Sequence, residues 1–92
     1  MSNKIDFNSA EHQYEIHVDG VVAGYSEVRE DDTTVTFTHT VVLDEYEGQG
    51  LAGELVTAAL DDVRARDKKV IAQCEYVARF IEKHPAYADL LA

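Results

Sequence analysis

Seven residues carry the clearest chemical signal: Glu47-Gly48-Gln49-Gly50-Leu51-Ala52-Gly53. Small residues at this spacing let main-chain N–H groups approach a ligand closely. An amphipathic helix follows, and its N-terminus adds partial positive charge, so the stretch suits a phosphate or pyrophosphate. No Lys-Ser/Thr pair follows the glycines, which excludes a Walker-type loop. Gly48, Gly50 and Gly53 satisfy the bare G-x-G-x-x-G pattern. The loop follows an antiparallel meander, however, and not the first strand of a βαβ array, so it is no dinucleotide fingerprint. Outside the loop, Cys74 stands where a strand gives way to a helix. It reads either as a small buried hydrophobe or as a thiol poised by a helix N-terminus. His39 falls in an apolar strand. It reads either as a packed core residue or as a base, since imidazoles exchange protons near neutral pH. Tyr76 and Tyr87 offer phenols, or aromatic packing on a small core. His84 precedes Pro85 and reads as structural; His12 and His17 read as solvated. The lone cysteine and scattered histidines form no metal set.

The elements that position these groups follow from periodicity. Tyr14, Ile16 and Val18 alternate with Gln13, Glu15 and His17 over a strand at 12–18. Asp19-Gly20 is a two-residue hairpin signal, and Val21–Arg29 is the return strand. Glu30–Thr33 makes a second turn. The next strand runs from Thr34 to Leu43, with Val35, Phe37, His39 and Val41 on one face and Thr34, Thr36, Thr38 and Thr40 on the other. Ile5-Asp6-Phe7 reads as a short extra edge strand. A helix extends from the glycine loop to about Asp67, with Leu51, Leu55, Val56, Ala59, Leu60 and Val63 inward. Its outer acids, Glu54, Asp61, Asp62 and Asp67, read as a solvated face. Val70–Cys74 forms a strand parallel to 34–43 through a right-handed crossover. A second helix covers Tyr76–Lys83 and stops at His84-Pro85; Ala86–Leu91 adds a last helical turn. The fold class is mixed α/β. Three or four antiparallel strands lead into a splayed parallel pair, with a long helix between and a short helical C-terminus.

Length and charge set the outer limits. A chain of 92 residues is read as one domain, 1–92, with a small core. One cysteine excludes an internal disulfide framework and suits a reducing, cytoplasmic setting. No apolar run approaches a membrane span, and the N-terminal stretch lacks a signal-peptide pattern. A formal net charge of -10 repels phosphate backbones and disfavours a nucleic-acid partner. The same charge keeps a small protein soluble and attracts cationic molecules or lysine-rich peptides. Exposed edge strands allow a monomer or a homodimer.

At the glycine loop the sequence resembles the GCN5-related N-acetyltransferases, most closely their short single-domain branch. The family loop reads Arg/Gln-x-x-Gly-x-Gly/Ala, and Glu47-Gly48-Gln49-Gly50-Leu51-Ala52 occupies that register. Glu47 replaces the family's Arg or Gln and is expected to face away from the phosphates. The short branch adds Thr-His-Thr, a Cys followed by an aromatic, and His-Pro-x-Tyr. The matching residues are Thr38-His39-Thr40, Cys74-Glu75-Tyr76 and His84-Pro85-Ala86-Tyr87. The resemblance implies acetyl-CoA as co-substrate and a small amine or an exposed lysine as acceptor. It implies the pyrophosphate on Gly48, Gln49, Gly50, Leu51, Ala52 and Gly53, and the pantetheine arm beside Thr40, Val41 and Val42. It makes Cys74, His39 and Tyr76 candidate catalytic residues, with Cys74 protonating the leaving thiolate or accepting the acetyl group itself. A CoA-binding module with little turnover and a protein-interaction domain that keeps the fold are the rival readings.

Overall fold

A computed structural model describes residues 3–92. Met1 and Ser2, which open the N-terminal stretch read above, lie outside the described residues. Five strands form one sheet in the order β1-β2-β3-β4-β5. They span Asn3–Asn8 (β1), Gln13–Val18 (β2), Val21–Glu30 (β3), Thr34–Val42 (β4) and Lys69–Ala72 (β5). The first four pair antiparallel, and β4 pairs parallel with β5. Two helices, Leu51–Ala65 (α1) and Glu75–Lys83 (α2), pack into the same core. Short 3-10 turns at Asp44–Tyr46 and Pro85–Leu90 complete the chain.

The expected order of elements is therefore present, with shifted ends. The edge strand β1 is longer than Ile5–Phe7. Helix α1 stops at Ala65, because Asp67 turns back with φ 57°. Strand β5 ends at Ala72, which leaves Cys74 as the N-cap residue of α2. The turn Asp44–Tyr46 has no counterpart in the sequence reading.

Alternation places Tyr14, Ile16 and Val18 of β2 inward. From β4 it sends Val35 and Phe37, both fully buried, onto α1. Helix α1 answers with Leu55, Val56, Ala59, Leu60 and Val63, all fully buried. Burying such a side chain is worth about 1.5–3 kcal/mol, so this layer supplies most of the cohesion. The C-terminal end of α1 is pinned to the sheet by polar contacts. Tyr14 donates its hydroxyl to Asp62 at 2.7 Å. Arg66 grips Glu30 at 2.8 and 3.0 Å. That guanidinium, helped by Lys68 and opposed by partial burial, holds the Glu30 carboxyl below its usual range. The outer acids of α1 are thus anchors as well as solvated groups: Asp61 accepts from the Tyr87 hydroxyl at 2.8 Å.

Two β-bulges interrupt the meander, and both bear on the site. In β3, Ala23 is passed over between the pairs Ile16↔Gly24 and His17↔Val22. In β4, Thr38 is passed over between Val28↔Phe37 and Glu27↔His39. A surplus residue reverses the facing of everything beyond it. The expectation that Val35, Phe37, His39 and Val41 share one face is therefore corrected. Beyond the bulge, Thr40 and Val42 face the helices, while His39 turns to the open face with its side chain 71% exposed. The polar row of β2 is also less solvated than expected. Glu15 is 8% exposed and accepts from Gln13 at 2.7 Å and Asn8 at 3.0 Å, with the His17 ring at 3.2 Å. Burial raises the Glu15 pKa, but these bonds outweigh it and hold the carboxyl below its usual range.

Beside the first bulge, Gly24 lies hard against β4. A Cβ there would stand 2.8 Å from the Val41 carbonyl oxygen. Gly24→Ala is expected to cost about 1–3 kcal/mol by overpacking, read as a lower midpoint in chemical denaturation. An unchanged midpoint would show that β3 and β4 do not approach this closely.

Candidate active site

The parallel pair is short. Strands β4 and β5 are in register only from Thr34↔Lys69 to Phe37↔Ala72. The Cys74 amide adds a last bond to the Phe37 carbonyl at 2.8 Å. Past that point β4 continues from Thr38 to Val42, while the chain after β5 turns away into α2. The β5-facing main chain of Thr38–Val42 is left with no strand beside it. Buried backbone groups demand partners, so such a gap is a ready seat for an extended, amide-bearing ligand.

At the far end of this gap lies the glycine turn. Gly48 and Gly50 have φ of 81° and 74°, a left-handed conformation that side chains resist. A Cβ at either position would meet nothing within 4 Å, so it is backbone conformation that calls for glycine here. Gly50 is the N-cap of α1, and no side chain caps that helix. The first amides of a helix lack internal acceptors, so this terminus presents N–H groups to an anion. A pocket of about 330 Å³ opens there, bordered by Val42, Tyr46, Gly48, Gly50, Gly53 and Tyr76. Glu47 borders it as well, exposed at the rim.

Cys74 sits at the fork where β4 and β5 part. It is 8% exposed, and its thiol donates to the Thr40 hydroxyl at 3.5 Å. Thr40 in turn shares a hydrogen bond of 2.9 Å with Ser26, which is fully buried. The chain Cys74–Thr40–Ser26 can point in either direction. With a thiol present, the S–H donates to Thr40. With a thiolate, Thr40 donates to sulfur while Ser26 donates to Thr40. The sequence does not mark Ser26 as a functional residue. Its one signal is that it is a small hydroxyl within a strand otherwise built of apolar, glycine and long polar residues.

The structure separates the three candidate catalytic residues. His39 and Cys74 flank the gap from opposite faces of the sheet. The His39 Nδ1 lies 3.9 Å from a Glu27 carboxylate oxygen on the open face. Tyr76 stands neither with Cys74's thiol contacts nor with His39. Its hydroxyl lies over Gly53, 3.7 Å from where a Cβ would be, so it belongs to the glycine pocket. Of the expected cofactor residues, Val42, Gly48, Gly50, Leu51, Ala52 and Gly53 border that pocket together. Thr40 lies inside the gap, Val41 faces away from the helices, and Gln49 is exposed in the turn. His84 is structural, as read: its ring meets the Phe80 carbonyl at 2.8 Å and stacks on the Phe80 ring at 4.1 Å. Among the described residues no group of three or more His, Cys, Asp or Glu could hold a metal ion. No helix of the described residues is long and apolar enough to cross a membrane.

A strand that loses its parallel partner beside a glycine turn and an uncapped helix leaves main-chain groups of both elements open to one ligand. Comparison with known proteins identifies the family that has this frame. The family model described as GCN5-related N-acetyl-transferase matches residues 13–90. The chain belongs to that family and is a domain of the N-acetyltransferase class. Bovine protein NATD1 is 39% identical over 51 residues, which cover 55% of this chain and 45% of that protein. The match thus spans about half the length of this curated relative. A GCN5-like protein from Staphylococcus aureus, solved in solution, superposes with a TM-score of 0.75 at 28% identity. That alignment covers 100% of this chain and 91% of the other. A GNAT family acetyltransferase from Elizabethkingia anophelis with acetyl-CoA bound shares the fold at a TM-score of 0.61 and 14% identity. There 82% of this chain and 51% of the other are covered.

Proposed function

We propose that this chain transfers the acetyl group of acetyl-CoA to an amine, either a small molecule or an exposed lysine. The observation that carries this reading is the gap between β4 and β5, which ends at the uncapped amides of Gly50–Gly53. The glycine turn would hold the pyrophosphate through main-chain N–H groups, and Thr40–Val42 would pair with the pantetheine amides. The thioester supplies an activated acetyl carbon, and the rest falls to the protein. An amide of the bulged segment of β4 donates to the carbonyl oxygen as negative charge builds there. His39, backed by Glu27, takes the proton from the attacking amine on the open face. Cys74 gives its S–H proton to the departing CoA sulfur, and Thr40 swings its hydroxyl onto the thiolate left behind. The new C–N bond replaces the C–S bond. Two protons move: one from the amine to His39, one from Cys74 to CoA. Direct transfer is favoured over an acetyl-Cys74 intermediate because the buried thiol is already engaged by Thr40 and because donor and acceptor approach from opposite faces.

The test is release of free CoA from acetyl-CoA with a panel of mono-, di- and polyamines and lysine peptides, alongside thermal unfolding with CoA. Turnover with at least one amine is expected. A ligand at 100 times its dissociation constant should also stabilise the fold by about 2.7 kcal/mol. Stabilisation without turnover would reassign the chain as a CoA-binding module. Neither would leave the gap without a ligand and sink the reading.

A further inference from the structure

We infer that Arg79 and Lys83 seat the 3′-phosphate of CoA, so that the site prefers free acetyl-CoA to pantetheine thioesters lacking that phosphate. This rests on the acetyl-CoA reading above and adds to it the group that selects the donor. A groove of about 700 Å³ runs between the first turns of α1 and the exposed side of α2. It shares Gly50, Gly53 and Tyr76 with the glycine pocket, so the two form one trough. Arg79 and Lys83 lie one turn apart on α2 and line its outer half. In the same groove Tyr76, which is 40% exposed, and His84, exposed and stacked on the largely buried Phe80 at 4.1 Å, supply ring faces on which a flat base can lie.

Among the described residues Arg29 and Lys83 make no ion pair, and Lys4 and Arg79 pair only with exposed acids; of these four cations Arg79 and Lys83 alone line this groove. The chain carries 8 basic residues against 18 acidic ones. Arg64, Arg66 and Lys68 are held by Asp89 and Glu30, and Lys69 reaches the Asp89 carbonyl. Lys83 makes no ion pair among the described residues, although acids outnumber bases throughout. Arg79 pairs only with Glu75, one turn back, and both side chains are at least 70% exposed. Such a pair is worth little in water and exchanges readily for a dianion. A cation in the last turn of a helix, as Lys83 is, is favoured in any protein. Arg79 sits mid-helix, where that reason does not apply. Glu54, on the α1 wall, accepts a hydrogen bond from Asn3 at 3.3 Å.

The experiment is calorimetric titration of the full chain with CoA and with 3′-dephospho-CoA, which differ in the one phosphate. Wild type is expected to bind CoA about 10-fold more tightly. Arg79→Gln/Lys83→Gln should remove that preference while affinity for dephospho-CoA moves little. Lys83→Arg should keep it. Both positions are on an exposed helix surface, and unchanged melting of the variants confirms that they fold. Equal wild-type affinity for the two ligands, or equal weakening of both in the double variant, would overturn the inference and leave acetyl-CoA as the donor. Failure of either ligand to bind wild type would overturn the donor assignment itself.

Discussion

Gly50→Asp is expected to weaken CoA binding by about 100-fold while the protein stays folded. Gly50 opens helix α1 in a left-handed conformation, and nothing lies within 4 Å of a new Cβ, so bulk alone displaces no neighbour. The substitution adds two things: backbone strain and a carboxylate where the phosphates would rest. Strain at one non-glycine residue in this conformation costs about 1 kcal/mol, and Asp and Asn tolerate it better than most residues. Gly50→Asn carries similar strain and no charge, so the two variants separate the effects. Calorimetry should show a small loss for Asn and the large loss for Asp, with the Asp penalty easing as salt rises. Equal losses in the two variants would mean that no anion binds at this turn.

Cys74→Ala should lower kcat by about 100-fold, at the modest end for loss of a proton donor, and leave CoA affinity near wild type. Removing a sulfur that is 8% exposed also costs stability, so the assay belongs well below the melting temperature. Cys74→Ser keeps a donor of similar size within reach of Thr40 and is expected to recover part of the rate. Single-turnover mixing with acetyl-CoA, followed by intact-protein mass spectrometry, addresses the route. Direct transfer predicts no acetylated protein during turnover. Acetyl-protein that forms and decays at the rate of product appearance, and is lost in Cys74→Ala, would replace direct transfer with a covalent step. A wild-type rate in Cys74→Ala would take the thiol out of the chemistry.

The sequence spoke most clearly where local rules act alone. Alternation in β2 and β4 and the helical spacing of Leu51–Val63 follow from burying one face, and the glycine turn follows from positive φ. What stayed hidden depends on pairing between distant residues. Neither Ala23 nor Thr38 marks itself as a bulge, because the choice of which residue to pass over is made by the partner strand. The run of threonines at 34, 36, 38 and 40 concealed the second bulge by keeping the polar rhythm intact across it. For the same reason strict alternation places His39 on the face opposite to the one it occupies. Arg79 and Lys83 were legible only as helix surface, since the groove they line is made by another helix.

Thr38 shows how a sheet can serve two needs with a single strand. Parity, rather than residue type, decides which side each side chain of β4 occupies, and one supernumerary position inverts it midway. Upstream of that position the strand is committed to cohesion, with Val35 and Phe37 inside. Downstream it is released, sending one hydroxyl toward the thiol and one imidazole toward solvent. Drift in amino-acid type along β4 can therefore proceed without disturbing this division of labour, whereas a change in the number of residues between Phe37 and Thr40 cannot.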